Sequence, residues 1–418
     1  MQAQLSTGVV LVLVAASRLA WAHPAPHTVA LIDVRAHRVD LELHMPVPEL
    51  EAALHRPLAA NDPAPRELVA AQLHAASPDG TPWRVTVGAM GHDVDRQGPN
   101  VTVQATLTPP PDHSPRTFRL VNDVIGSVVP NHVTWFSLRS DFAAGQLNAS
   151  PQVLGTTHYL HHEITIDRRD GSIVRGLVAM FRLGMRHIAE GTDHLLFLLV
   201  LLLPAPLVVE PRRGRRRWGG PAPARTALAN VVRVVTAFTV GHSLTLLLGA
   251  TGLLKLPTAL VETLIAVSIL ISAVHALEPL FPGKEWLVAA GFGLVHGLAF
   301  ASALAELRLD VGQLAAALLA FNLGIEAMQL AVIALALPWL LLSAQTRAYR
   351  AVCVAGASGA AVAALGWIGQ RALHLGNPIG PVVERLVARP FALLASLAAL
   401  SIVLAIGLPR PKLTAQPD

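Results

Sequence analysis

From residue 176 onward the chain is laid out in long apolar blocks, at about 176–204, 229–253, 257–280, 285–306, 313–342, 351–370 and 390–408, joined by short polar segments. A bilayer core about 30 Å thick needs about 20 apolar residues of helix. Backbone groups in lipid must also pair within their own segment. Each block is therefore predicted to be a transmembrane helix, and 176–408 a seven-helix domain. Residues 23–170 follow another rule. Short stretches at 28–34, 38–44, 84–87, 101–107, 117–121 and 132–138 alternate or are β-branched, with Pro, Gly, Asn and Asp between them. They predict a small, mostly β, sandwich-like domain, with short helices near 48–55 and 66–75. At the front, the apolar run 9–16 followed by Ala20-Trp21-Ala22 reads as a secretory signal over 1–22, although no Lys or Arg precedes the run.

Composition agrees with a membrane protein carrying a water-exposed part: 53% of residues are hydrophobic and 14% charged. The net charge of +5 does not point to nucleic acid. Much of it is Arg beside the apolar blocks, as in RRGRRR at 212–217, and no aromatic-rich basic groove accompanies it. That cluster marks the first loop as cytoplasmic. Arg168, Arg169, Arg175, Arg371, Arg385 and Arg389 fall on the opposite side, and the dense first loop outweighs them. The expected arrangement is a bacterial-type inner membrane, with 23–170 extracytoplasmic and 409–418 a cytoplasmic tail. The single cysteine, Cys353, rules out an intrachain disulfide or thiolate cluster. Any metal must be held by imidazole, carboxylate, amide or water.

Candidate chemistry lies inside the apolar blocks. The first, FRLGMRHIAEGTDHLLFLLVLLLP, carries His187, Glu190 and His194 at i, i+3 and i+7, with Asp193 on the flank. The second has Thr239, His242 and Ser243; the third Glu262, Ser268 and His275; the fourth His296; the fifth Asn322, Glu326 and Gln329. At about 1.5 Å per residue, His187, His194, His242, His296 and Asn322–Gln329 share a depth near mid-bilayer, while Glu262 and His275 do not. Ionisable groups within a span usually mark an ion or substrate path. A lone membrane histidine is also a common interhelical contact, and Gly293-x-x-x-Gly297 ordinarily means close helix packing. Imidazole with carboxylate suits nickel, cobalt, zinc or copper(II). Glu190, Asp193 and Glu326 would offset the ion's charge or carry counter-transported protons, with Ser243, Asn322 and Gln329 in support. Twelve of the eighteen histidines fall in 23–170. They read as scattered surface residues or, at His158, His161 and His162, as capture of a metal outside the membrane.

The run H-x-x-x-G-x-D-H, from His187 through Gly191 to Asp193-His194, resembles the signature of the HupE/UreJ family. Members are regarded as nickel or cobalt permeases associated with hydrogenase and urease. DHLLFLL, FTVGHSLTL, FGLVHGLAFA and FNLGIEAMQ resemble a second branch, which joins an exported domain to the membrane core. The resemblance covers roughly 176–342, and Ile188 stands where the signature has Pro. It implies metal contacts at His187, Asp193 and His194, joined by His242 and His296, and metalloenzyme-maturation partners. Glu326 completes the set of expected ligands. Three function classes fit: a divalent transition-metal carrier, an intramembrane zinc hydrolase with three histidine ligands, and a sensor or assembly protein working through its exported domain. No Walker-type phosphate loop is present, so a carrier would run on the gradient or membrane potential.

Overall fold

The computed structural model describes residues 27–407 except 60, 96–97, 213–214, 255, 302–303, 305–306, 308, 310 and 388. The expected signal at 1–22 and the tail at 409–418 lie outside the described residues. The chain divides between Ser172 and Ile173 into two compact units.

In the first unit a six-stranded sheet has the order β4-β5-β2-β1-β7-β8. Its strands are β1 (Thr28–Val34), β2 (Val39–Pro46), β4 (Arg84–Asp95), β5 (Gly98–Thr108), β7 (Val133–Asp141) and β8 (Gln146–His158). A second sheet, β3-β6-β9, uses Leu73–Ala76, Thr117–Asn122 and Glu163–Asp167. Helices α1 (Val47–Leu54) and α2 (Ala64–Gln72) complete the unit. Strand alternation supplies the core. Ala30, Ile32 and Val34 of β1 are buried with Leu41, Leu43, Val101, Val103, Phe118, Leu120, Phe136 and Leu138. Ion pairs tie the sheet: Arg139 bonds both Asp33 (2.6 Å) and Glu42 (3.0 Å), and Arg116 grips Asp141 through two bonds of 2.8 and 2.9 Å. Strands β3, β8 and β9 are additions to the six expected. β8 contains Asn148, Pro151 and Gly155 and reads as turn-rich, but β7 holds it in register through irregularities at Phe136/Ser137 and Leu138/Ser140. His158 and His161 close the β8–β9 turn by backbone bonds of 2.9 and 2.8 Å. His162 faces Asp123 instead, with Nδ1 2.6 Å from Oδ1. The three rings do not point to one centre.

The second unit is helical apart from the hairpin β10 (Leu207–Arg212)–β11 (Arg215–Pro221). Its helices are α3 (Ile173–Glu190), α4 (Thr192–Leu202), α5 (Ala224–Ala250), α6 (Thr258–Leu277), α7 (Glu285–Ala299), α8 (Val311–Ala344), α9 (Tyr349–Leu373), α10 (Gly380–Val387) and α11 (Pro390–Gly407). Four are long and apolar enough to cross a membrane: α5, α6, α8 and α9. The α10–α11 pair, bent by 76°, makes a fifth if taken as one span. α4 and α7 are shorter apolar helices of 11 and 15 residues. α3 exposes Arg175, Arg182 and Arg186.

One expectation is corrected. The block at 176–204 is not a continuous helix: Gly191, at φ −74° and ψ 98°, separates α3 from α4. The i, i+3, i+7 stripe therefore does not exist, and Glu190, the last residue of α3, is exposed. No proline is needed for the break, since Ile188 sits buried within α3. Glycine at 191 is required by space. A Cβ there would lie 2.6 Å from the His187 carbonyl oxygen and 2.8 Å from His194 Nδ1.

Glycines also set the helix pairs. A Cβ on Gly184 would lie 2.0 Å from the Phe321 carbonyl oxygen, and one on Gly324 2.0 Å from that of Phe181, so α3 and α8 touch backbone to backbone. α5 and α7 meet the same way, through Gly241 against Ala290 and Gly293 against Phe238, each at 2.1 Å. Small residues permit such approach where no hydrophobic force drives helices together.

Candidate metal centre at the helix break

The break at Gly191 places His187 at the end of α3 and His194 in the first turn of α4. The two rings lie 4.6 Å apart, edge to face. His242 of α5 comes beside them, 5.9 Å from His187 between ring centres. One nitrogen from each of the three can be chosen so that all lie within 4.8 Å of one another. The surroundings are aromatic. Phe300 and Phe321, stacked on each other at 4.9 Å, flank His187, and Phe238 packs near His194.

Hydrogen bonding divides the rings sharply. His242 is fully buried, and among the described residues neither of its ring nitrogens makes a hydrogen bond of normal geometry, the Asn322 amide being its polar neighbour; His187 Nε2 makes none either. The nearby Asn322 donates its amide to Leu318 (2.9 Å), while its buried Oδ1 has no partner. Buried polar groups are almost always paired, so four such atoms from three helices form a pocket of unused donor capacity. His194 is held differently. Its Nδ1 lies 2.9 Å from Asp193 Oδ1, which also accepts the His194 backbone N–H at 2.9 Å. Asp193 thus sits behind the ring rather than in front of it, and its place in the first turn of α4 suits an anion. Because the carboxylate accepts only, Nδ1 carries a proton, and in the neutral ring that leaves the lone pair on Nε2.

His296 of α7 extends the group. Its Nδ1 is 3.4 Å from His194 Nε2, and its Nε2 is 3.0 Å from Ser268 Oγ on α6. Both His296 and Ser268 are buried. Depth counting found His296; it did not find Ser268 as its partner, because periodicity says nothing about which neighbouring helix a face meets.

The remaining expected residues lie off the centre. Glu326 accepts a 2.7 Å bond from Thr236 of α5, and Gln329 pairs with Thr239 at 3.1 Å, a polar seam between α5 and α8. Ser243 spends its hydroxyl on the Thr239 carbonyl of its own helix. Glu262 pairs with Arg371 at 3.1 Å. His275 Nδ1 accepts the Leu280 N–H, and its ring stacks on Phe281 at 4.0 Å, closing the end of α6. As a donor set, imidazoles with one carboxylate behind them fit a borderline divalent cation.

The family model described as HupE / UreJ protein matches residues 162–371, half of the chain, and the matched region contains every histidine of this centre. No curated protein and no solved structure gives a match. On the extent of that match the chain belongs to the HupE/UreJ family.

Proposed function

We propose that the protein is a membrane permease for a divalent transition-metal ion, nickel or cobalt, and that the ion pauses at His187, His194 and His242. One observation carries this reading: unpartnered ring nitrogens of His187 and His242 converge with His194 where two helices meet at a break. Transporters commonly bind their cargo where a membrane helix is interrupted. Two ligands at about 2.1 Å from one ion lie at most about 4.2 Å apart, so the trio needs only a small ring rotation to close. Neutral imidazoles let a cation sit in low dielectric without adding opposing protons. Asp193 orients His194 and supplies the compensating charge. Glu326, with Asn322 and Gln329, lines the α5–α8 seam beside the centre.

On this reading α3–α4 is one broken span and α7 a short one. With α5, α6, α8, α9 and α11 they give seven crossings. The first unit then lies outside a bacterial-type inner membrane, behind a signal at 1–22, and the C-terminus lies in the cytoplasm. Three histidines are also the ligand set of a hydrolytic zinc site, which gives the competing reading its footing.

The test is uptake of 63Ni(II) or Co(II) into proteoliposomes, with elemental analysis of the same preparations. Wild type is expected to carry the ion and to emerge from chelator washing without stoichiometric metal, while His242→Ala carries none. Uptake unchanged in His242→Ala would end the assignment of the ion to this centre, and no uptake by wild type would end the permease reading. Retained stoichiometric zinc together with amide hydrolysis would favour the enzyme.

A further inference from the structure

His194 has neighbours on two sides. His187 and His242 can each bring a nitrogen within 4.8 Å of one of its own, and His296 Nδ1 is 3.4 Å from its Nε2. With Nδ1 taken by Asp193, Nε2 is the nitrogen it has left to offer to either. The protons of the second pair can be placed from their partners. Ser268 Oγ lies 2.7 Å from the Ile265 carbonyl oxygen, to which it gives its single hydrogen. It therefore accepts from His296 Nε2–H at 3.0 Å, and His296 Nδ1 is left bare. Asp193 has already left His194 Nε2 bare. In the neutral rings two lone pairs thus face each other across 3.4 Å. Two nitrogens bound to one ion at about 2.1 Å in tetrahedral geometry are about 3.4 Å apart.

We infer that the centre holds two overlapping cation subsites sharing His194 Nε2: the trio His187/His194/His242, and a second pair His194/His296, whose ligating nitrogen is exposed by Ser268. This rests on the permease reading above and adds a step to it. The ion enters the trio, and His194 hands it to His296 without releasing it to lipid. The second subsite has two protein nitrogens and completes its coordination with water, so it binds weakly. Passage requires sites that can be left as well as entered. Ser268 is a positioning residue: it touches no ion, and it decides which nitrogen of His296 points inward.

The experiment uses full-length protein and Co(II) as the probe, comparing binding from the cobalt visible absorption bands with uptake into proteoliposomes. His296→Gln is expected to bind Co(II) within about threefold of wild type and to lower uptake about tenfold or more. Ser268→Ala is expected to leave binding unchanged and slow uptake about tenfold, and Ser268→Thr to restore it. Gel filtration and unfolding temperature check folding, and the Ser268 variants decide the matter even if His296→Gln folds poorly. If Ser268→Ala transports at the wild-type rate, the inference is wrong. It is also wrong if His296→Gln loses binding as fully as His242→Ala, which would mean a single four-histidine site. Wild type that neither binds nor carries Co(II) would instead remove the permease reading, and the second subsite with it.

Discussion

A ring with both nitrogens buried and unpaired, as in His242, weakens the fold that contains it. Leaving a buried donor or acceptor unsatisfied costs about 1–3 kcal/mol. His242→Leu, of similar volume among Phe238, Phe321 and His187, should therefore raise the unfolding temperature of metal-free protein while abolishing Co(II) binding. Thermal unfolding in detergent with and without Co(II) reads both effects, and a destabilised, binding-competent variant would contradict the assignment. That opposition of stability and function is what a site built for a ligand predicts. At this scale the sequence was legible in residue type: His187, His194, His242 and His296, expected in one layer, come together with neighbouring rings 4.6 to 5.9 Å apart. It was not legible in direction. A continuous helix would have put Glu190 beside the histidines, whereas the break at Gly191 leaves it exposed. Asp193, expected as a ligand, bonds the far side of its neighbour's ring.

Whole helices are positioned by backbone contact through glycine, and here a control is built in. Gly293 of α7 lies against the Phe238 carbonyl, while Gly291, two residues away on the same helix, has nothing within 4 Å of where a Cβ would be. Gly293→Ala must push α5 and α7 apart and should lower the yield of folded protein and uptake together. Gly291→Ala should match wild type in both, since alanine also favours helix over glycine by about 1 kcal/mol. Equal behaviour of the two variants would mean that the close approach is not needed. The Gly293-x-x-x-Gly297 pattern was readable as packing; Gly184, Gly241 and Gly324 were not, because none has a second glycine four residues away on its own helix. In the first unit, β2 carries a pH-sensitive pair. The His44 hydrogen bond, opposed by burial and aided by Arg139, holds the Glu42 carboxyl at about 2, below its ordinary 4.5. Glu42 in turn raises His44 above its ordinary 6.5. A lowered carboxyl stabilises above 4.5 and loses that contribution as pH falls toward 2; a raised histidine stabilises below 6.5 and loses it as pH climbs past its folded value. The pair therefore contributes most between pH 4.5 and 6.5. His44→Gln should flatten the fall in unfolding temperature above pH 6.5.

For the whole molecule, the two units obey different rules. The first unit has a closed apolar core with charged groups at its margins; the second exposes Leu, Val and Ile along α5, α8, α9 and α11. Side chains of that kind in water would form an apolar patch far beyond what a soluble surface carries, so lipid is their natural surrounding. The proposed orientation can be tested through charge. Arg216 and Arg217 on β11 lie in the loop between α4 and α5, the densest basic cluster, which that orientation places in the cytoplasm. Cys353 is the single cysteine and is buried, which makes labelling clean once it is replaced. In a Cys353→Ser background, Ser114→Cys should react with a membrane-impermeant maleimide added to intact cells. Arg216→Cys should react only after the membrane is opened, and so should Lys284→Cys, between α6 and α7. In the proposed arrangement three crossings separate Ser114 from Lys284, so the two fall on opposite sides. If Ser114→Cys and Lys284→Cys were labelled from the same side, α3–α4 would not be a full span. Its break would then be a re-entrant loop, and the histidine centre would open to only one face of the membrane.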